Sequence, residues 1–256
     1  MALRTSGRFV FLAMMIAALW LGPAAATQEN PAAREPFEQG VAALTQGRPA
    51  QAVEKFTAAL KADPEMAEAY INRGIAQMQL EQWVDAVDDF DKALELNPTS
   101  PEAYYNRGLA YSRQGIPDKA LADYTKALTY APKDWQIYYN RGNTYLDLNQ
   151  PQKALGDYNQ ALQLHPQAPE ILYNRSLAWL ALGKAEQALT DAEKALALNP
   201  NYARASFSKG RALEKLGHKY EALAAYRHFL KTGNPDRDRM LLQQALGRIQ
   251  VLEKSK

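Results

Sequence analysis

The chain has 256 residues, 30 basic and 28 acidic side chains, three histidines and no cysteine. The missing cysteine excludes any disulfide and any lipid anchor on a leader's cleavage-site cysteine. A formal charge of +2 gives no basic footprint for nucleic acid.

The amino terminus opens with Arg4 and Arg8, followed by a charge-free apolar stretch from Phe9 to Leu21. Pro23 and the small residues Ala24, Ala25 and Ala26 come next. This order reads as an export signal, residues 1–26, with cleavage after Ala26. The apolar stretch is shorter than the ~20 residues of a spanning helix. The expected location is the periplasm; an uncleaved inner-membrane anchor facing the periplasm is the alternative. Removal of Arg4 and Arg8 leaves 28 side chains of each sign and a net charge of zero. A polar linker, residues 27–32, follows.

From residue 33 a period of 34 takes over. Pro64, Pro98, Pro132, Pro166 and Pro200 form one column, and Ala52, Ala86, Ala120, Ala154, Ala188 and Ala222 a second. A third runs Gly40, Gly74, Gly108, Gly142, Ser176 and Gly210. A fixed period of this length marks stacked units that bury their apolar faces against their neighbours. The units are 33–66, 67–100, 101–134, 135–168, 169–202 and 203–235. In residues 101–134, Pro101 and Glu102 start a helix and Gly115 ends it in a left-handed turn. Pro117 opens a second helix with an apolar stripe at Ala120, Leu121, Tyr124, Ala127 and Leu128, and Pro132 stops it. Gly47 and Asn149 serve the same turn elsewhere. Glu81 stands at that place in the second unit and predicts a less sharply defined turn.

The small columns let helix backbones approach closely. Tyr70, Tyr104, Tyr138 and Leu172 in the first helices, and Phe56, Phe90, Tyr124, Tyr158 and Tyr226 in the second, fill the remaining gaps. A last segment, 236–256, carries Leu242, Leu246, Ile249 and Leu252 at helical spacing and reads as a capping helix over the sixth unit.

The glycine, alanine, aromatic and proline places resemble the tetratricopeptide repeat family. Gly74, Ala86, Phe90, Ala93 and Pro98 carry the match in the second unit; Gly142, Ala154, Tyr158, Ala161 and Pro166 carry it in the fourth. The resemblance implies an all-α, right-handed superhelical solenoid of antiparallel helix pairs, with first helices lining a concave face. One departure is systematic. Arg73, Arg107, Arg141 and Arg175 occupy the leucine place, and only those units have Asp89, Asp123, Asp157 and Asp191 before the second helix's aromatic place. The matched pattern predicts an Arg–Asp pair joining the two helices of each central unit.

Asn72, Asn106, Asn140 and Asn174 hold one first-helix place, with Tyr105, Tyr139, Tyr173 and Phe207 one residue earlier in register. Amides at that place can grip the backbone of an extended peptide, as asparagines of related repeats do, and the aromatic column can wall the groove. The family's carboxylate clamp is matched in part, by Asn143, Asn174 and Arg204. Tyr139 and Ser208 replace its other cations, and Arg211 and Lys215 follow Arg204 on one stripe. Charge is uneven: residues 63–102 hold ten acidic and two basic residues, residues 204–256 five and twelve. Such polarity can orient partners or bring about self-association.

There is no glycine-rich phosphate loop, nucleophile elbow or metal-ligand spacing. His165, His218 and His228 are scattered and read as surface residues. No cofactor and no catalysis are expected. The expected function is a non-catalytic envelope adaptor that binds proteins or peptides. The alternatives are a membrane-tethered assembly factor for a pilus, secretion or polysaccharide-export machine, and an accessory subunit of an enzyme. No nucleic-acid partner is expected, and membrane contact only through an uncleaved signal.

Overall fold

The computed structural model describes residues 30–254, so the export signal read in residues 1–26 lies outside the described residues. Two compact units divide these residues at 133/134, and each is taken by itself.

In the N-terminal unit the helices are α1 (Pro31–Thr45), α2 (Pro49–Ala62), α3 (Ala67–Gln79), α4 (Trp83–Leu96), α5 (Pro101–Arg113) and α6 (Pro117–Tyr130). The C-terminal unit holds α7 (Trp135–Asp147), α8 (Pro151–Leu164), α9 (Pro169–Ala181), α10 (Ala185–Leu198), α11 (Ala203–Lys215), α12 (Lys219–Thr232) and α13 (Pro235–Lys254). Each odd-numbered helix from α1 to α11 pairs with the helix after it, and within each unit every second helix also packs on the next first helix. The fold is an all-α array of antiparallel helix pairs closed by α13.

The chain enters this array earlier than the linker reading allowed. Asn30 caps α1, accepting from Ala32 N at 3.1 Å, and Pro31 takes the first helical position. An Asn-Pro pair is itself a helix start. The Asn30 amide also donates to Ala62 O at 2.8 Å, tying the start of α1 to the end of α2. The column prolines lie two residues beyond the ends of α2, α4, α6, α8 and α10.

The turn at Glu81 is as sharp as its glycine equivalents. Glu81 adopts φ 61°, beside 68° at Gly47 and 55° at Asn149. Its N–H donates to Met78 O, and Gln82 N donates to Gln77 O at 2.9 Å. Arg48 N donates to Ala43 O at the same 2.9 Å in the first unit. The stacked helices impose the left-handed residue, and glutamate tolerates it at a conformational cost.

The glycine column is a contact surface. A Cβ added to Gly74 would stand 2.8 Å from a carbon of the Phe90 ring; at Gly108 and Gly142 it would meet Tyr124 and Tyr158 at 2.8 Å. Ser176 tests this rule. Opposite it, the aromatic place is Ala192, buried completely. The serine hydroxyl uses the vacated space to reach Tyr173 O and Ser208 Oγ, both at 2.6 Å.

At the carboxyl end, Ala245, Ile249 and Leu252 of α13 join Phe207, Leu223, Tyr226 and Phe229 in one apolar cluster. Leu246, read as part of the buried stripe, is 49 % exposed. The stripe runs through Leu242, Ala245, Ile249 and Leu252, a spacing of three and four that leaves Leu246 off the seam.

Candidate functional site: the first-helix faces

The Arg–Asp columns meet as bidentate pairs. Arg73 Nε and Nη2 donate to Asp89 at 2.8 and 2.6 Å, and Arg107 donates to Asp123 twice at 2.8 Å. Arg141–Asp157 and Arg175–Asp191 repeat the geometry at 2.7–2.8 Å. The arginines keep about a fifth of their side chains exposed, while the aspartates are buried. The carboxylate hydrogen bond at Asp89, Asp123 and Asp157 raises the pKa of Arg73, Arg107 and Arg141 above the ordinary guanidinium value.

The guanidinium does more than the sequence reading assigned. Its third nitrogen reaches back to the preceding unit's second helix. Arg73 Nη1 donates to Thr57 Oγ1 at 3.1 Å, Arg107 Nη1 to Asp91 Oδ1 at 2.5 Å and Arg175 Nη1 to Asn159 Oδ1 at 2.8 Å. Lys209, which replaces arginine in the last unit, pairs with Glu193 at 2.9 Å. Arg73, Arg107 and Arg175 therefore each join a first helix to two second helices, whereas Lys209 reaches only the preceding one. The signal was present as polar residues sixteen places before each cation, at Thr57, Asp91, Asn159 and Glu193.

The asparagines do not behave as one ladder. In α3, α5 and α7 the amide folds back along its own helix. Asn72 Nδ2 donates to Glu68 O at 2.8 Å, Asn106 to Glu102 O at 2.8 Å and Asn140 to Gln136 O at 2.9 Å. Asn72 and Asn140 are half-buried; Asn106 is buried, and its Oδ1 has no hydrogen-bond partner. In α9, Asn174 Nδ2 donates instead to Tyr139 Oη at 3.0 Å and Asn143 Oδ1 at 2.9 Å. Asn143 Oδ1 also accepts from Tyr158 Oη at 2.8 Å. These four side chains close a polar network across α7, α8 and α9. Burial pushes the Tyr139 phenol up to about 12.

The aromatic column turns inward more than a groove wall would. Tyr105 packs on Tyr124 with ring centroids 6.2 Å apart, Tyr139 on Tyr158 at 6.4 Å and Phe207 on Tyr226 at 5.8 Å. Tyr105 and Tyr139 are half-buried, whereas Tyr173 and Phe207 are buried and offer a ligand little surface. For Tyr105, Tyr139 and Phe207 the physical reason is the neighbouring aromatic place, which draws the ring into the helix pair; Tyr173, opposite Ala192, packs edge-on against Tyr202 at 5.8 Å.

Arg204 is not an open clamp cation. Its Nε donates to Asp238 Oδ1 of α13 at 2.7 Å, and Asp238 is buried. Arg211 and Lys215 stand exposed farther along α11. Of the histidines, His218 and His228 are exposed and His165 is half-buried, stacked on Trp135 at 4.7 Å. Among the described residues no group of three or more metal-ligating side chains occurs, and no helix is long and apolar enough to cross a membrane.

Paired helices repeated at this period define a tandem-repeat protein. Models described as tetratricopeptide repeat match residues 37–101, 101–134, 135–167, 169–202 and 203–232. The chain belongs to the tetratricopeptide repeat family. Among solved structures it is similar to YrrB, described as a TPR protein with an unusual peptide-binding site. That likeness has 25 % identity and a TM-score of 0.64 over 76 % of this chain and 99 % of that one. It also resembles PilW, a widely conserved type IV pilus biogenesis factor, at 22 % identity and a TM-score of 0.73, covering 85 % and 99 %. PilF of Pseudomonas aeruginosa is similar at 24 % identity and a TM-score of 0.61, covering 73 % and 88 %. The last two likenesses show the fold alone. No curated protein matches the sequence. The family and the likeness to YrrB place the chain among protein-interaction scaffolds, a type that is typically non-catalytic.

Proposed function

We propose that the chain is an exported adaptor that binds extended segments of other proteins on its first-helix faces. The observation that carries this reading is the repeated anchoring of Asn72, Asn106 and Asn140. One N–H of each amide is held by the carbonyl four residues earlier at 2.8–2.9 Å. Asparagine is a poorer helix former than alanine, so this column weakens three helices. It is accounted for if the partly exposed amides of Asn72 and Asn140 meet the backbone of a ligand, which carries donors and acceptors in any sequence, while the buried Asn106 offers a ligand no surface. The likeness to YrrB supports peptide binding as the mode. Export rests on the basic, apolar and small-residue order of residues 1–26.

The test is capture of clients from an envelope extract by residues 27–256, against a variant carrying Asn72→Ala and Asn140→Ala. The variant should keep or raise its Tm and lose the client. Equal capture by both proteins would remove the asparagine column from the mechanism. N-terminal sequencing of the exported protein should begin at Thr27. An intact Met1 in the membrane fraction would instead favour the tethered assembly factor.

A further inference from the structure

The C-terminal unit contains a groove of about 640 Å3 between α11 and α13. Phe207 and Tyr226 form its floor, with Arg211 and Lys215 on the α11 side and Arg248 and Val251 on the α13 side. Gly247 lies in the α13 wall, and a Cβ built there meets nothing within 4 Å. The groove is therefore open at that point.

Its charges do not balance. Glu214 is the one acid among the lining residues. Its carboxylate accepts from Tyr226 Oη at 2.9 Å and from Arg248 Nε at 3.1 Å, and the Arg248 fork completes an ion pair with it. Glu214 and Arg248 thus neutralise each other. Arg204, about two turns before Arg211, is neutralised by Asp238. Arg211 and Lys215 are left, both exposed, each without an ion-pair partner among the described residues. Four residues apart, they share one helix face with Cβ atoms about 5–6 Å apart. Alternate side chains of an extended peptide repeat at about 6–7 Å, so two acidic side chains of one strand match the two cations. Val251, 52 % exposed beside them, offers apolar contact to a neighbouring residue.

We propose that this groove binds an extended acidic peptide segment, its carboxylate side chains on Arg211 and Lys215 and an apolar side chain against Val251. The inference rests on the scaffold reading above and names the chemistry of one ligand segment.

The probe is a fluorescein-labelled, C-terminally amidated peptide alternating Glu with Ser and Leu, titrated with the full exported chain at low salt and read by anisotropy. A matched peptide with Gln in place of Glu, and a neutral peptide with a free terminal carboxylate, are the comparisons. The acidic probe should bind, weaken with salt, and lose on the order of tenfold in affinity when Arg211→Gln and Lys215→Gln are combined. Gly247→Leu should abolish binding by filling the groove while raising Tm, because it removes a glycine from a helix interior. A merely structural role for the groove would not separate those two readouts. Equal binding of the Gln peptide, binding of the free-carboxylate peptide alone, absence of binding, or indifference to both variants would each overturn the proposal. Failure of the probe to bind the parent chain, with client capture intact in parent and Arg211/Lys215 variant alike, would sink the groove and leave the scaffold reading standing.

Discussion

Breaking the Arg175–Asp191 pair should cost more than its partial exposure implies. Two hydrogen bonds of 2.7 Å join the groups, and a third, of 2.8 Å, runs from Arg175 to Asn159. The arginine side chain is 19 % exposed and the aspartate 3 %. At contact and an effective dielectric of about 20, the attraction is ~4 kcal/mol. Desolvation of the aspartate and solvent screening of the arginine offset part of it, leaving a coupling of about 2 kcal/mol. Asp191→Ala should destabilise by about 2–3 kcal/mol. Arg175→Ala should cost about 3–4 kcal/mol, since it strands a buried carboxylate and removes the packing of a long stem. The double variant should fall short of the sum by the coupling. Urea titrations of all four proteins measure this, with an unchanged slope as the check that cooperativity survives. Asp191→Ala should lower Tm by roughly 5–10 °C. The exposed pair Lys92–Glu95, 57 % and 63 % exposed, is the contrast, and Glu95→Gln should leave Tm unchanged. Single variants that add to within about 0.5 kcal/mol would refute the staple.

Gly108→Ala should destabilise by about 1–3 kcal/mol although alanine is the better helix former, because its Cβ would stand 2.8 Å from the Tyr124 ring; adding Tyr124→Ala should relieve the clash. Glu81→Gly should raise stability by about 0.5 kcal/mol, as relief of a left-handed φ outweighs the added freedom of the unfolded chain, and a fall in the urea midpoint would count against strain at that turn. Stability should also drop in alkali. Burial pushes Tyr139 and Tyr226 up to about 12, against about 10 when unfolded. Between those values the folded state holds protons that the unfolded state has lost, so the contribution is complete below about pH 10 and disappears as pH rises through about 12. Denaturation midpoints across that window, compared with Tyr139→Phe and Tyr226→Phe, should show the slope shrinking in each variant.

The array was legible because the same requirements recur from unit to unit. Each glycine must pass an aromatic ring, and each left-handed turn must end a helix, so a period of 34 reports the packing directly. The Arg–Asp pairs were legible for the same reason. Three features were not. The backward reach to Thr57, Asp91 and Asn159 was hidden because its acceptors vary in chemistry while sharing a position. The Asn143–Asn174 network depends on Tyr139 standing where related repeats carry lysine, and a phenol offers the amide an acceptor that an ammonium lacks. The sharp turn at Glu81 went unread because local preference was weighed without the tertiary contacts that override it.

The last pair of helices shows what the arginine staple supplies by lacking it. Lys209 replaces the fork and Ala225 the aspartate, so α11 and α12 have no bidentate link of their own. Instead, α13 provides Asp238 to Arg204, Arg248 to Glu214 and Glu253 to Arg227. Three ion pairs from a terminal helix thus stand in for one internal staple. Arg–Asp and Lys–Glu contacts inside the array consume every cation of their column. The substitution at the end leaves Arg211 and Lys215 over, on the face where α11 and α13 part. Arg211 and Lys215 differ from other unpaired cations in lining a groove, and charge left uncompensated beside an apolar surface is what can select one partner over another.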